Sequence, residues 1–257
     1  MEVDRRFRTS PIGSPISATD SGGFLLRKLW SRWSRPPTAV DPHGLTEEER
    51  DYYSMNEGVY AKFAPLYDFS VRPVRKLRRR VVELSRAGAD ATVIDVATGT
   101  GEQARAFGEK CRKVVGIDLS EAMLRVARAK DPLPNVTYVQ GNAAHLPFED
   151  ASFDIASISF ALHEMPASVR EAVLHEMVRV TKPRGTLVIV DYGLPKSFLG
   201  RHAVYRLVRF YEDPHYAEFL RLDLPALLAR NGIEVRNDRP ALLGAVRVVI
   251  GTRTAPS

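Results

Sequence analysis

The feature that most constrains the fold is an alternation of short apolar runs with amphipathic segments between residues 92 and 191. Runs of this length that are bounded by glycine or polar turns are typical of buried strands, and the segments between them have helical spacing. The runs are 92–96, 113–118, 136–140, 153–159 and 186–191. Strand and helix in alternation indicate an α/β fold whose mostly parallel sheet is covered on both faces.

Helices are predicted between and after these runs. Ser120 is expected to cap a helix over 120–130, and a second helix is expected over 168–181, where His175 and Glu176 are interpreted as surface residues. A third helix is predicted over 217–231, closed by Gly232. Two last strands, 233–236 and 245–251, complete the predicted set of elements.

The chain is predicted to contain one domain, over residues 46–257, preceded by a flexible basic tail over 1–45. Thr46 is a predicted helix cap at the start of the domain. In the tail, residues 24–33 (FLLRKLWSRW) place apolar side chains opposite basic ones, which is typical of a helix that lies on a membrane surface. The alternatives are that this segment docks on its own domain or has no fixed structure.

Composition and charge exclude several classes of protein. The 257 residues include one cysteine, which excludes an internal disulfide, and no apolar run approaches the ~18 residues of a membrane span. The net charge is +6, and the basic cluster at residues 75–80 is interpreted as a solvated helix face, so no nucleic-acid partner is expected. We expect a cytoplasmic protein, with peripheral membrane contact through 24–33 as an alternative.

A glycine-rich turn, Asp95-Val96-Ala97-Thr98-Gly99-Thr100-Gly101, joins the first predicted strand to a helix. Glycines permit a tight turn and let a ligand approach the backbone closely. Asp118 ends the second strand, where a carboxylate can accept hydrogen bonds from both hydroxyls of a ribose. The pattern from Gly99 to Ala104 also fits the fingerprint of dinucleotide enzymes, so a nicotinamide-dependent oxidoreductase remains open at this point.

Two features favour a sulfonium ligand over a dinucleotide. Asp95 ends the first strand, where its carboxylate would repel a pyrophosphate but attract an ammonium or sulfonium group. The segment Gly141-Asn142-Ala143-Ala144-His145 follows the third strand at the ligand-binding edge of the sheet. There Asn142 and the backbone amide of Ala143 can hydrogen-bond the edge of an adenine.

Four segments, VIDVATGTG, GIDLSEAML, GNAAHLPFEDASFD and VRVTKPRGTLVIVDY, resemble successive motifs of the class I S-adenosylmethionine-dependent methyltransferases. The pattern is nearest to the ubiquinone/menaquinone C-methyltransferase group, in which alanine likewise replaces the first glycine. The resemblance covers roughly residues 60–191. It implies S-adenosylmethionine as cofactor and a Rossmann-like, doubly wound sheet of seven strands, mostly parallel with the last strand antiparallel.

The resemblance also implies which residues contact the cofactor. Residues 46–88 correspond to a helical lid, and within the segment 60–68 Tyr67 would close over the cofactor. Asn142 stands where the family usually has Asp, and its carbonyl oxygen can still accept from the adenine amino group. The remaining positions are Asp95, Ala97, Gly99, Gly101, Ser159 and Phe160 around the methionine part, Asp118 at the ribose, and Leu119, Met123, Asn142 and Ala143 at the adenine.

The sequence departs from the quinone group after the fourth strand. That group usually carries an Arg-Asn element there, whereas this chain has Phe160-Ala161-Leu162-His163-Glu164. His163 is our candidate catalytic base, and the alternative is a histidine that orders the loop. With Glu164 it makes no recognisable metal site, because no third ligand lies at a suitable spacing.

The acceptor side is predicted from aromatic residues in the segment 192–216, which corresponds to the insert that covers the pocket in related enzymes. These residues are either plain packing or walls for an apolar or aromatic acceptor. The predicted substrate contacts are Tyr192, Tyr205, Tyr211 and His215.

We therefore predict an enzyme that moves a methyl group from S-adenosylmethionine to a small-molecule or lipid-like acceptor. A quinone precursor, a phospholipid and an aromatic metabolite are all open, as is the oligomeric state. The alternatives are the nicotinamide-dependent oxidoreductase and a non-catalytic, methyltransferase-like binding protein.

Overall fold

Seven strands form one sheet in the part of the chain that the structure, a computed structural model, describes: residues 46, 49–54, 75–130, 133–195 and 214–254. In spatial order they run β3-β2-β1-β4-β5-β7-β6, and β7 is antiparallel to both of its neighbours. The pairs among β1 to β5 are parallel, so the predicted doubly wound fold with an antiparallel last strand is confirmed. The strands are β1 (Thr92–Val96), β2 (Lys113–Asp118), β3 (Val136–Gln140), β4 (Phe153–Ser159), β5 (Thr181–Tyr192), β6 (Ile233–Ala241) and β7 (Val246–Arg253).

Helices cover both faces of the sheet, because the central strands are apolar on both sides. Val93 and Ile94 are adjacent in β1, point to opposite faces and are both fully buried. One apolar cluster contains side chains of α2, α3 and α4, and the other contains side chains of α5, α6 and α7. The helices are α1 (49–54), α2 (Arg75–Leu84), α3 (Glu102–Gly108), α4 (Glu121–Ala129), α5 (Ala167–Val180), α6 (Pro214–Arg221) and α7 (Leu224–Arg230), with 3-10 turns at Leu162–Glu164 and Leu242–Gly244.

Two predicted helix caps are confirmed. Ser120 Oγ accepts a hydrogen bond from Met123 N at 3.4 Å, ahead of α4. Thr46 Oγ1 accepts from Glu49 N at 3.2 Å, and Thr46 N donates back to Glu49 Oε2 at 2.9 Å, which makes a reciprocal capping box at α1.

Side-chain hydrogen bonds near each of its ends join helix α1 to the rest of the domain. Ser168 Oγ donates to Glu49 Oε1 at 2.7 Å, next to the start of α5. Asn142 Nδ2 donates to Tyr53 Oη at 3.2 Å, in the loop after β3. Tyr52 and Tyr53 are half-buried and pack against the apolar cluster under α5.

The predicted extents of four elements are wrong. Strand β5 begins at Thr181 rather than at 186, because Thr181 already pairs with Phe153 and a register shift then separates it from the regular ladder. The predicted helix 217–231 is two helices, since Asp223 Oδ1 caps a new helix by accepting from Ala226 N at 3.1 Å. The last two strands are longer than predicted, because they pair with each other over almost their whole length.

Two predicted surface positions are also corrected. Arg78 is only 9% exposed, because α2 packs on α3, where Gln103 Nε2 donates to the Arg78 carbonyl at 3.4 Å. Glu176 accepts from Leu146 N at 2.7 Å and pairs with Arg179, so it ties α5 to the loop after β3. His175 is exposed, as predicted.

Several predictions concern residues outside the described part of the chain. These are the flexible tail over 1–45, the membrane-surface helix at 24–33, and the contacts assigned to Tyr67, Tyr205 and Tyr211. Within the described residues, none of the helices combines the length and the apolar character needed to cross a bilayer.

Candidate active site

A cavity of about 680 Å³, including its open mouth, lies at the carboxyl edge of the sheet. From β1 the chain adds β2 and β3 towards one edge of the sheet, and from β4 it adds the later strands towards the other edge. The point between β1 and β4 where the strand order reverses is where open α/β sheets bind ligands. The predicted cofactor residues on its wall are Asp95, Ala97, Gly99, Asp118, Met123, Ser159 and Phe160.

The turn after β1 takes a left-handed path through the cavity wall. Ala97 has φ 51° and Gly99 has φ 54°, values that L side chains rarely adopt. An added Cβ on Gly99 would meet nothing within 4 Å, so glycine is needed here for its positive φ and not to avoid a clash. The space beside it is open to a ligand. Phe160, directly after β4, also has a positive φ of 56°. Backbone strain at two non-glycine residues of one cavity is typical of a functional site.

Asp118 is fixed by backbone amides at the end of β2. Its Oδ2 accepts from Gly99 N at 2.7 Å, and its Oδ1 accepts from Ser120 N at 2.9 Å. Burial raises the pKa of this carboxyl, and the amide hydrogen bonds oppose the rise. Each carboxylate oxygen keeps a further lone pair, so the group can accept from two adjacent ribose hydroxyls.

Asp95 is almost fully buried and lines the same cavity. Its Oδ2 accepts from Thr98 Oγ1 at 2.6 Å, whereas its Oδ1 has no hydrogen-bond partner among the described residues. Burial raises the pKa of this carboxyl to about 6, against the opposing effects of the Thr98 hydrogen bond and the charge of Arg78. A buried carboxylate oxygen without a partner fits a cationic group of a ligand, such as an ammonium or sulfonium, and does not fit a pyrophosphate.

The predicted adenine residues lie beside the cavity. Leu119 is half-buried next to Asp118, and its carbonyl accepts from Gln140 Nε2 at 3.1 Å. Asn142 Oδ1 accepts from Ala144 N at 2.9 Å, which fixes the loop that also contains Ala143. The bond from Asn142 to an adenine therefore stays a prediction, and it depends on the second lone pair of that oxygen.

Gly101 supports the site from behind the wall. It precedes α3 with φ 79°, and an added Cβ would lie 2.3 Å from Tyr138 Oη. Burial and the charge of Asp95 raise the pKa of Tyr138 to about 12, so its hydroxyl stays protonated beside the turn. Gly101 thus lets α3 approach β3, and its contact with the methionine part of the cofactor stays a prediction.

The structure adds wall residues that the sequence did not indicate. Tyr52 comes from α1 and Arg78 from α2, and no motif marked either of them. Arg78 brings a cation into a cavity that also contains Asp95 and Asp118, so it can neutralise an anionic end of a ligand. Thr98, Thr100, Glu102 and Gln103 lie next to predicted positions, and Ala161 and Glu164 follow β4.

His163 lies just behind this wall and is paired with a carboxylate. Its Nδ1 is 2.7 Å from Asp191 Oδ1, and its backbone N donates to Asp191 Oδ2 at 3.3 Å. Tyr192 N also donates to Asp191 Oδ1, so the carboxylate at the end of β5 is held from three directions. A carboxylate can only accept here, which places the ring proton on Nδ1 and leaves Nε2 as the basic nitrogen.

Aromatic rings surround His163. Its ring centroid lies 4.7 Å from that of Tyr192 and 5.1 Å from that of Tyr216, both edge to face. Tyr192 in turn lies 5.5 Å from Phe160 on the cavity wall. Burial raises the pKa of Tyr216, which keeps its hydroxyl protonated. We call Phe160, His163, Tyr192 and Tyr216 the ring cluster; His215, a predicted substrate contact, precedes Tyr216 on α6.

Comparison with known proteins identifies the family of this chain. Residues 94–189 match the family described as "Methyltransferase domain". The chain is 36% identical over 179 residues to the "Ubiquinone/menaquinone biosynthesis C-methyltransferase UbiE" of Shewanella sp. (strain ANA-3), which covers 65% of this chain and 70% of that protein. It is 35% identical over 172 residues to the "Demethylmenaquinone methyltransferase" of Paenarthrobacter aurescens, which covers 65% of this chain and 62% of that relative's length.

A solved structure supports the fold independently of close sequence similarity. A SAM-dependent methyltransferase from Aquifex aeolicus superposes with a TM-score of 0.56 at 22% identity, covering 69% of this chain and 89% of that one. S-adenosylmethionine contains both a ribose and cationic groups, which are the ligand parts that the sequence predicts at Asp118 and Asp95. With the motifs, the fold and the relatives in agreement, the chain belongs to the class I S-adenosylmethionine-dependent methyltransferases, in the group that includes the ubiquinone/menaquinone C-methyltransferases.

Proposed function

We propose that the protein transfers a methyl group from S-adenosylmethionine to a hydroxylated aromatic acceptor of the quinone-precursor type. The observation that carries this proposal is the ring cluster, because Phe160 belongs both to it and to the wall of the cofactor cavity. One relative is named for methylation of demethylmenaquinone and another for ubiquinone and menaquinone biosynthesis, and both names support the same class of acceptor.

The cofactor is proposed to lie along the carboxyl edge, with its ribose on Asp118 and its cationic groups towards Asp95. Arg78 would neutralise the carboxylate of the methionine part. When bound, S-adenosylmethionine supplies a methyl group that its sulfonium charge already activates. The protein therefore mainly has to align the acceptor with that methyl group and exclude water, for which the buried edges of β1 and β4 are suited.

The acceptor side favours a flat, hydroxylated ring. Phe160, Tyr192 and Tyr216 present ring faces and edges at spacings of 5.0 to 5.5 Å, which suit aromatic packing. The phosphate of a phospholipid headgroup would instead be repelled by the carboxylate of Glu164, which lines the cavity. The sequence lacks the Arg-Asn element of the quinone group after β4, and the His163–Asp191 pair occupies that region instead.

The test is a methylation assay with methyl-labelled cofactor and three acceptors: a demethylmenaquinol analogue kept reduced, a catechol and phosphatidylethanolamine. We expect labelled product from the ring acceptors, identified and positioned by mass spectrometry. Product from the phospholipid alone would overturn the proposed acceptor class. The variant Asp118→Ala is the control, because it should remove both cofactor binding and product.

Calorimetry separates the alternative functions. Binding of S-adenosylmethionine without binding of NAD is expected, and the reverse would support the nicotinamide-dependent oxidoreductase. Cofactor binding without methylation of any component of a cell extract would support the non-catalytic binding protein.

A further inference from the structure

We propose that Glu164 is the residue that takes the proton from the acceptor and passes it to His163, which Asp191 positions behind it. This inference rests on the proposed function and names the acid-base group of that same site. It also changes the expected role of His163, from a base that meets the acceptor to one that acts through its neighbour.

The wall of the cavity separates the two residues. Glu164 lines the cavity together with Ser159 and Phe160, and its side chain is 29% exposed. His163 is only 8% exposed at its side chain and is not on the wall. Its basic nitrogen, Nε2, lies 3.6 Å from Glu164 Oε1. That distance is too long for a hydrogen bond, and a side-chain rotation of Glu164 would shorten it, as catalytic contacts often shorten when substrate binds.

The turn that carries both residues is held rigidly. Arg170, on α5, is 2% exposed and donates to the Leu162 carbonyl at 3.1 Å and to the Met165 carbonyl at 2.8 Å. These two bonds fix the backbone on both sides of His163 and Glu164. The backbone position of the pair is therefore set by the fold, which leaves only the side-chain rotation of Glu164 to bring the two groups together.

The charges around the pair favour uptake of a proton. Asp191 stabilises a protonated His163 ring through Nδ1, and Glu164 itself is negative, so the pair can hold one additional proton as an ion pair. The ionisable groups on the elements packed around it are Asp191 and Tyr192 of β5, His215, Tyr216 and Glu218 of α6, and Arg170 of α5. Those that share the cavity wall with Glu164 are Tyr52, Arg78, Asp95, Glu102 and Asp118.

The chemical step balances without a further reactant. The O–H bond of the acceptor breaks, and its proton passes to Glu164 and from there to His163 Nε2. The electron pair left on the acceptor forms the new bond to the methyl carbon while the carbon–sulfur bond breaks and its pair leaves with sulfur. For a ring carbon acceptor, the ring oxygen regains the proton held by the Glu164–His163 pair, and the pair then takes the proton that the methylated carbon releases.

The first test does not depend on finding the acceptor. In 15N NMR of the full chain, the Glu164→Gln variant should move the titration midpoint of the His163 ring to lower pH, because it removes a neighbouring negative charge. The matched control Glu171→Gln, an exposed carboxylate on α5 paired with Arg230, should leave that midpoint in place. An unchanged midpoint in Glu164→Gln would overturn the coupling of the two residues.

The second test is kinetic. On an acceptor that the wild type methylates, Glu164→Gln should lower kcat by about 100-fold or more while leaving the cofactor Kd within a few-fold. His163→Asn should lower kcat less, by roughly 10-fold, and displace the acid limb of the pH profile, whereas Glu164→Asp should recover part of the loss. Wild-type kcat in Glu164→Gln would refute the proposal. If no acceptor is methylated at all, the proposed function fails, and the NMR midpoint still decides whether Glu164 and His163 act together.

Discussion

Replacing Asp95 with Asn should stabilise the cofactor-free protein and weaken its hold on the cofactor at the same time. The carboxylate is 1% exposed, and Oδ1 has no partner among the described residues, so its charge is costly to keep in the folded state. Asn keeps an oxygen for the hydrogen bond from Thr98 Oγ1 but carries no charge.

The magnitude follows from the pKa of Asp95, which rises from 3.8 to about 6 on folding. Each unit corresponds to about 1.4 kcal/mol, so the ionised group costs the folded state roughly 3 kcal/mol. Because the folded pKa is the higher one, Asp95 favours the folded wild type most below pH 3.8, where the carboxyl is neutral in both states. This contribution to the free energy of unfolding is lost as the pH rises through 6 and the buried carboxyl ionises. The free energy of unfolding of Asp95→Asn, relative to wild type, should therefore increase by up to about 3 kcal/mol between pH 4 and pH 8.

Urea unfolding of the cofactor-free proteins at pH 4, 6 and 8 measures this difference. Asp154 is the control, since hydrogen bonds from Lys182 and Thr92 outweigh its partial burial and lower its pKa to about 2, so that it titrates below the tested pH range. Asp154→Asn should therefore differ in stability from wild type by a nearly constant amount between pH 4 and pH 8. A difference between Asp95→Asn and wild type that stays constant from pH 4 to 8 would refute the reasoning.

The same variant tests binding. By calorimetry at pH 8, Asp95→Asn should bind S-adenosylmethionine about 10-fold or more weakly, because a charged partner of the cationic ligand is lost. The affinity of the wild type should fall as the pH drops below about 6, where Asp95 takes up a proton. Equal affinities for variant and wild type would show that the carboxylate does not face the cofactor.

Two further variants test the frame around the site. Gly101→Ala should lose about 2 kcal/mol or more of stability by urea unfolding, since its Cβ would lie 2.3 Å from Tyr138 Oη at a positive φ, whereas Gly88→Ala has open space and should be neutral. Equal stabilities of these two variants would contradict the packing described. Arg170→Met should lose about 3–5 kcal/mol, because two buried carbonyls lose their donor, while Glu218→Gln should lose under about 1 kcal/mol, since Glu218 is half-exposed. A small loss in Arg170→Met would mean that the turn it holds does not need it.

The sequence predicted those parts of the fold that depend on local pattern. Strands β1 to β4 have the predicted bounds, because a buried parallel strand is a continuous apolar run with polar residues at each end. The start of β5 was missed because Pro183 and Gly185 read as a turn, although Thr181 pairs with β4 before them. The break between α6 and α7 depends on the cap at Asp223, which a periodic apolar pattern conceals.

The same distinction holds for the site. Asp95 and Asp118 end strands within recognisable motifs, so their place on the cavity wall followed from the sequence. The partnership of His163 with Asp191 joins residues 28 positions apart on two elements, and no spacing rule relates them. Arg78 looked solvated because the packing of α2 on α3, which buries it, is a tertiary contact.

Helix α1 has a consequence for the rates at which ligands enter and leave the cavity. Tyr52 completes the cavity wall, and the contacts that hold α1 include the hydrogen bonds of Glu49 and Tyr53 and the packing of two half-buried tyrosines. Each such bond contributes only about 0.5–1.5 kcal/mol, far less than the sheet that carries Asp95 and Asp118. This wall is therefore built separately from the strands, and we expect changes in α1 to alter how fast a ligand enters and leaves the cavity more than where it binds.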